Sequence, residues 1–124
     1  GFQHALSVLT TVTSRPTPEQ VITDAGLKSV TPEHGMPEVK LPSKDGIEVG
    51  WDPKGLRFLE CYSLSEEHGR LHTVDGPCHL EVGEVIEFIP GHGCTTMNLH
   101  DNIYAVRDGR LEAIWPIAAR GKVR

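Results

Sequence analysis

The chain has 124 residues, which is enough for one domain with a hydrophobic core but too few for two. Its net charge is −5, and no stretch concentrates Lys or Arg, which excludes a nucleic-acid binder that needs a basic surface. No apolar run approaches the ~18 residues that span a bilayer, so no membrane segment is predicted. The thirteen glycines and nine prolines indicate many turns and short elements, as in a β-rich module.

The cysteines and the start of the chain predict a cytoplasmic location. Cys61, Cys78 and Cys94 are too few and too scattered for a disulfide framework. The first residues lack the basic and apolar regions of a secretory signal. A reducing compartment follows as the expectation.

Apolar and β-branched runs predict six or seven short strands, separated by turns at close spacing. Asp108-Gly109, between two alternating apolar runs, predicts a tight hairpin. The region 31–55 contains four prolines, so we expect a long excursion with at most short strands, and a helical turn is expected only around 95–101. The fold class is therefore mainly β, a small barrel or sandwich, with one or two short helical turns. The predicted strands are 5–12, 20–23, 56–63, 70–74, 85–89, 103–106 and 111–115.

The segment from Ile89 to Asp101 carries the candidate chemistry. His92 and Cys94 follow Pro90 and are separated by a glycine. If this segment is extended, residues i and i+2 point the same way and could present an imidazole and a thiolate to one ion, a pair that suits zinc. Alone, the H-x-C pattern is a weak signal, and a partly buried histidine with an inert cysteine fits it better than a metal site does. A site with only two protein ligands would be open, which favours catalysis over a structural role.

A resemblance sharpens this interpretation. The residues at 90–101, P-G-H-G-C-T-T-M-N-L-H-D, are similar to the metal-binding motif of the D-threonine aldolase/D-serine dehydratase family. Three more segments resemble the family in the same order: the D-A-G turn within 21–28, S-E-E-H-G at 65–69, and the closing hairpin and tail within 107–121. The resemblance covers nearly all of residues 5–124 and implies an antiparallel β-barrel-like single domain, 1–124.

The resemblance also implies a function. In that family an N-terminal barrel of the alanine-racemase type carries pyridoxal phosphate on a lysine, and this chain has neither that barrel nor a matching lysine. His92 and Cys94 fall on the family's two metal ligands, with zinc expected first and manganese as the alternative. The expected activity is that of a lyase on D-β-hydroxy amino acids, of the aldolase or dehydratase type, in a homodimer. This chain alone is expected to be inactive and to hold no cofactor-binding residue.

Two other functions stay open at this point. One is a racemase-like pyridoxal-phosphate enzyme, which would need no metal, and the other is a β-barrel binding module without catalysis. Several side chains also keep two interpretations. Glu66, Glu67 and His68 either line the active cleft or form a solvated corner, while Asn98, His100 and Asp101 either hydrogen-bond around His92 or cap a helical turn. Trp51 and Trp115 are expected to pack in the core, and Asp24 is expected to brace a turn.

Overall fold

A computed structural model describes residues 5–40, 59–74, 78 and 80–118. Six strands form a closed antiparallel barrel in the order β1-β2-β5-β4-β3-β6, and a separate two-stranded sheet follows. The mainly β prediction is confirmed, and the alternative of a sandwich is wrong. The barrel strands are β1 Val8–Ser14, β2 Gln20–Thr23, β3 Glu38–Lys40, β4 Leu59–Leu64, β5 Gly69–Thr73 and β6 Val85–Ile89; they are followed by α1 Gly93–Met97, β7 Asn102–Arg107 and β8 Arg110–Pro116.

The barrel core comes from the alternation of inward and outward side chains along each strand. In β1, Val8, Thr10 and Val12 are buried, whereas Leu9 between them is exposed. Phe88 of β6 and Leu71 of β5 are fully buried. Because successive side chains of a strand point to opposite faces, one alternating run per strand fills a closed interior.

The short strand β3 was not predicted individually, although it closes the barrel. Val39 pairs with Phe88 of β6, and Glu38 pairs with Glu60 of β4. Only Val39 of its three residues is buried, so the strand offers almost no apolar pattern of its own and depends on its two neighbours. Residues 41–55 of the excursion, including Trp51, lie outside the described residues. The same is true of residues 56–58, the start of the strand predicted at 56–63.

Arg15 fastens one end of the barrel. Its guanidinium donates to the carbonyl oxygens of Gln20 (2.8 Å), Pro18 (2.7 Å), Cys78 (3.0 Å) and Leu80. Five N–H donors in a planar fork allow arginine to satisfy several carbonyls at once. These hydrogen bonds therefore connect the turn that follows β1 to Cys78 and Leu80, which precede β6.

Asp24 stabilises the turn that follows β2, as expected. Its Oδ1 accepts from the Thr10 hydroxyl (2.9 Å) and from the Thr11 backbone N–H (2.8 Å). The Thr10 hydroxyl in turn accepts from the Ala25 N–H (3.0 Å). These bonds fix the chain where it leaves β2.

The hairpin β7–β8 has the predicted turn. Asp108 (φ 51°) and Gly109 (φ 75°) both lie in the left-handed region, as a two-residue turn of this kind requires. The prediction that Trp115 packs in the core is wrong, because its side chain is 57% exposed on the β7–β8 ribbon. Among the described residues, no helix is long and apolar enough to cross a membrane.

Candidate metal centre

The segment between β6 and β7 carries both predicted ligands. Pro90 follows β6 and has no N–H with which to extend the ladder. His92 is extended (φ −139°, ψ 114°) and is the N-cap of α1, which begins at Gly93. Cys94 therefore lies in the first turn of a helix, so the argument that both side chains share one extended segment is wrong. Their assignment as ligands of one metal stays a prediction.

Cys94 is the accessible thiol of the chain. Cys61 and Cys78 are buried, whereas Cys94 is exposed. Burial raises the pKa of the Cys61 thiol to about 11, so that thiol stays protonated at neutral pH. Because a metal binds the thiolate form, Cys94 is the cysteine suited to a metal.

An open cleft lies beside Cys94. It has a volume of about 500 Å³, within the range of small-molecule sites. One wall is formed by α1 and the residues that follow it, and the other by the segment after β2. The lining residues include Cys94, Asn98 and Leu99 on the first wall, and Leu27, Thr31 and Glu33 on the second.

Two further side chains approach His92, and the sequence did not predict either. Oε1 of Glu33 lies 3.4 Å from Nδ1 of His92 and 3.8 Å from Nε2 of His34. The rings of His34 and His92 meet edge to face with centroids 4.8 Å apart. The donor atoms of all three residues lie within 4.8 Å of one another. The adjacent Glu-His before Gly35 is a sequence signal, but only the barrel brings it to His92.

Hydrogen bonds tie the segment after β2 to α1. The Thr31 N–H donates to the buried Thr96 hydroxyl (3.2 Å), and Nε2 of His100 donates to the Ser29 carbonyl (2.6 Å). The His100 ring therefore binds the second wall of the cleft, while its backbone N–H donates to the Met97 carbonyl (3.1 Å) at the end of α1, in agreement with the capping interpretation. Asn98 is the C-cap residue, and its N–H donates to the Cys94 carbonyl.

The corner at residues 65–69 turns at the surface, with its three central side chains in solvent. A Cβ on Gly26 would lie 2.3 Å from the Ser65 carbonyl, so only glycine allows the two turns to pack this closely. Nζ of Lys28 contacts Oε1 of Glu67 at 2.7 Å. This hydrogen bond, and then the lysine charge, hold the pKa of the Glu67 carboxyl below its ordinary value. Glu66, Glu67 and His68 are all exposed, which supports the solvated interpretation over a place in the cleft.

Comparisons with known proteins agree with this architecture. The model of the family "Putative serine dehydratase domain" matches residues 5–106. The chain is 39% identical over 98% of its length to D-threonine aldolase of Arthrobacter sp, and 36% identical over 98% to 3-hydroxy-D-aspartate aldolase of Paracoccus denitrificans. The crystal structure of D-threonine aldolase from Filomicrobium marinum superposes with a TM-score of 0.79 at 32% identity, covering 100% of this chain and 30% of that one.

The chain belongs to the serine dehydratase domain family and corresponds to the C-terminal domain of D-threonine aldolase and 3-hydroxy-D-aspartate aldolase. It spans 28% of the Arthrobacter enzyme and 27% of the Paracoccus enzyme. D-threo-3-hydroxyaspartate dehydratase from Delftia sp. HT23 shares the fold, with a TM-score of 0.63 at 22% identity over 89% of this chain and 31% of that one.

Proposed function

We propose that this chain is the metal-carrying part of a pyridoxal-phosphate lyase that cleaves or dehydrates D-β-hydroxy amino acids. The observation that carries the proposal is a similarity to D-threonine aldolase over 98% of the chain, together with an exposed Cys94 in an open cleft two residues after His92. The relatives are aldolases, and a more distant neighbour is a dehydratase, so both reactions belong to the proposal.

The donor set fits a divalent metal. An imidazole and an accessible thiol suit zinc, and manganese is the alternative expected from the family resemblance. One structure of D-threo-3-hydroxyaspartate dehydratase, which shares this fold, is described as a metal-free form, so that enzyme has a form that holds a metal. When bound, the metal supplies a Lewis acid that polarises an oxygen of the substrate.

The residues of this chain have two roles in the proposal. His92 and Cys94 hold the metal and leave its other positions open to the cleft. Leu27 and Leu99 give the cleft apolar walls that reduce the access of water. The larger N-terminal domain would carry pyridoxal phosphate, which supplies the electron sink at Cα. The chain alone therefore binds metal but is inactive.

The test uses the enzyme that contains this chain together with its pyridoxal-phosphate domain. We expect cleavage of D-threonine to glycine and acetaldehyde, or elimination of water from D-serine or D-threo-3-hydroxyaspartate, followed by hydrolysis of the resulting imine to a 2-oxo acid and ammonia. A chelator should abolish turnover, and zinc or manganese should restore it. Turnover that continues after removal of all metal has been verified would contradict the proposal, and conversion to the L-enantiomer alone would identify a racemase.

A further inference from the structure

Nδ1 of His92 is turned towards the protein, on the side of Glu33. The atom is buried and, within the described part of the chain, has no hydrogen bond of full geometry. The side chain as a whole keeps 30% of its surface exposed, so the exposed edge of the ring lies away from Nδ1. Burial of an imidazole nitrogen without a hydrogen-bond partner lowers the stability of the fold. Oε1 of Glu33 lies 3.4 Å from this nitrogen and could act as its partner.

Glu33 belongs to a built segment, residues 31–35, which we call the support loop. The Glu33 N–H donates to the Thr31 hydroxyl (3.1 Å), and the Gly35 N–H donates to the Pro32 carbonyl (3.0 Å). His34 has φ 63°, a left-handed conformation that costs a residue with a Cβ roughly 1–2 kcal/mol. Surrounding contacts hold this strained backbone in place, as at many functional sites.

Gly91 brings the support loop onto the ligand segment. A Cβ at this position would lie 3.0 Å from the carbonyl oxygens of His34 and Gly35 and 3.2 Å from that of Glu33. The loop backbone therefore rests directly on the residue before His92. This close approach holds the backbone of Glu33 beside the segment that carries His92.

We propose that Glu33 is a positioning residue that accepts a hydrogen bond from Nδ1–H of His92 and so presents Nε2 to the metal. Histidines that ligate metals commonly donate their other ring N–H to a carboxylate, which sets the tautomer and the ring orientation. The 3.4 Å separation is a few tenths of an ångström longer than a full hydrogen bond, so a small movement of the exposed carboxylate completes it. The inference rests on the proposed function of His92.

The same three side chains could instead form a metal site of their own, but two observations disfavour it. The His92 nitrogen that lies beside Glu33 is Nδ1, which is buried, so an incoming substrate would have no access to a metal bound there. Two bonds of about 2.0–2.1 Å span at most about 4.2 Å, whereas the three donor atoms spread over as much as 4.8 Å. The arrangement therefore suits orientation of His92 better than a second centre.

The first experiment reads the tautomer of His92 by ¹⁵N NMR in the metal-free chain at a pH where the imidazole is neutral. The wild-type ring should carry its proton on Nδ1, and Glu33→Ala should move it to Nε2, the form that free histidine favours. Glu67→Ala removes another exposed carboxylate, which lies outside the site, and should leave the tautomer unchanged. An unchanged tautomer in Glu33→Ala would overturn the inference.

The second experiment measures zinc affinity by competition with a chromophoric chelator. Glu33→Ala should weaken binding roughly 10- to 100-fold, the usual effect of losing such a partner. Glu33→Gln keeps an acceptor oxygen and should recover part of this loss. An affinity within twofold of wild type for Glu33→Ala, or X-ray absorption that loses one oxygen ligand in this variant, would overturn the positioning role. A wild-type chain that binds no zinc would contradict the proposed function. The tautomer experiment uses the metal-free chain, so it tests the hydrogen bond between Glu33 and His92 independently of zinc binding.

Discussion

The closed barrel and the β7–β8 hairpin use similar apolar residues with opposite results. In the barrel, Phe88 and Leu71 are both 0% exposed. In the hairpin, Val106 is 63% exposed and Tyr104 60%, and none of the strand residues of β7 and β8, all of which the structure describes, is buried. Alternation of side chains gives a strand an apolar face, but only closure or a packed third layer makes that face a core.

The candidate metal centre lies between these two regions, the buried barrel and the exposed hairpin. The chain leaves the barrel at Ile89 and enters the hairpin at Asn102, and His92 and Cys94 lie between them. The barrel side of this segment is held rigidly, because the support loop contacts Gly91 and is bonded to Thr96. A ligand pair at this junction has a rigid base and an open outer face.

The largest expected effect separates the two regions directly. Phe88→Ala should lower the free energy of unfolding by about 3–5 kcal/mol, because it empties a fully buried site in a closed core. Trp115→Ala, the matched aromatic change on the hairpin, should cost less than about 1 kcal/mol. Urea denaturation followed by circular dichroism measures both. Equal losses would show that the hairpin aromatic is as well packed as the barrel core.

A smaller effect is expected at the barrel end that Arg15 fastens. Arg15→Ala should cost about 2–3 kcal/mol of unfolding free energy, because it leaves carbonyls of Gln20, Cys78 and Leu80 without their charged donor. Arg15→Lys should recover only part of this loss, because one ammonium cannot reproduce the planar fork. The same denaturation measurement applies, and full recovery by lysine would contradict the role given to the fork.

The smallest expected effect is confined to the hairpin. Asp108→Ala places a residue without a local hydrogen-bonding side chain at φ 51°, which should destabilise the turn by about 1 kcal/mol. Amide exchange should accelerate in β7 and β8, while barrel amides keep their protection and global unfolding shifts by less than about 0.5 kcal/mol. Faster exchange in the barrel as well would show that the two regions unfold as one unit.

The sequence predicted those parts of the fold that have a local signature. Alternation identified β2, β5 and β6 closely, and Asp108-Gly109 identified the hairpin turn. The strand β3 was missed because a single buried valine gives no pattern, and the exposure of Trp115 was missed because burial depends on what lies across the strand. These two properties are set by tertiary neighbours and not by the local sequence.

The candidate site was predictable only in part, for the same reason. His92 and Cys94 stood out by their spacing and by the family resemblance, but the start of α1 at Gly93 was not predicted. Glu33 and His34 reach His92 only because the barrel folds a distant loop over Gly91. The cap expected at His100 is present, because its N–H donates to the Met97 carbonyl, but the bond from its ring to the Ser29 carbonyl was not predicted. The support of a site is therefore harder to infer than its ligands.

The most direct test of the metal assignment is cobalt(II) absorption spectroscopy, because a cobalt–thiolate bond gives a charge-transfer band in the near ultraviolet. The account predicts this band in the wild-type chain at one cobalt per molecule, its loss in Cys94→Ser, and greatly weakened binding in His92→Ala. Cys61→Ser should keep the band, because that thiol is buried with a pKa of about 11. A band that survives in Cys94→Ser, or no stoichiometric cobalt binding by the folded wild-type chain, would contradict the account.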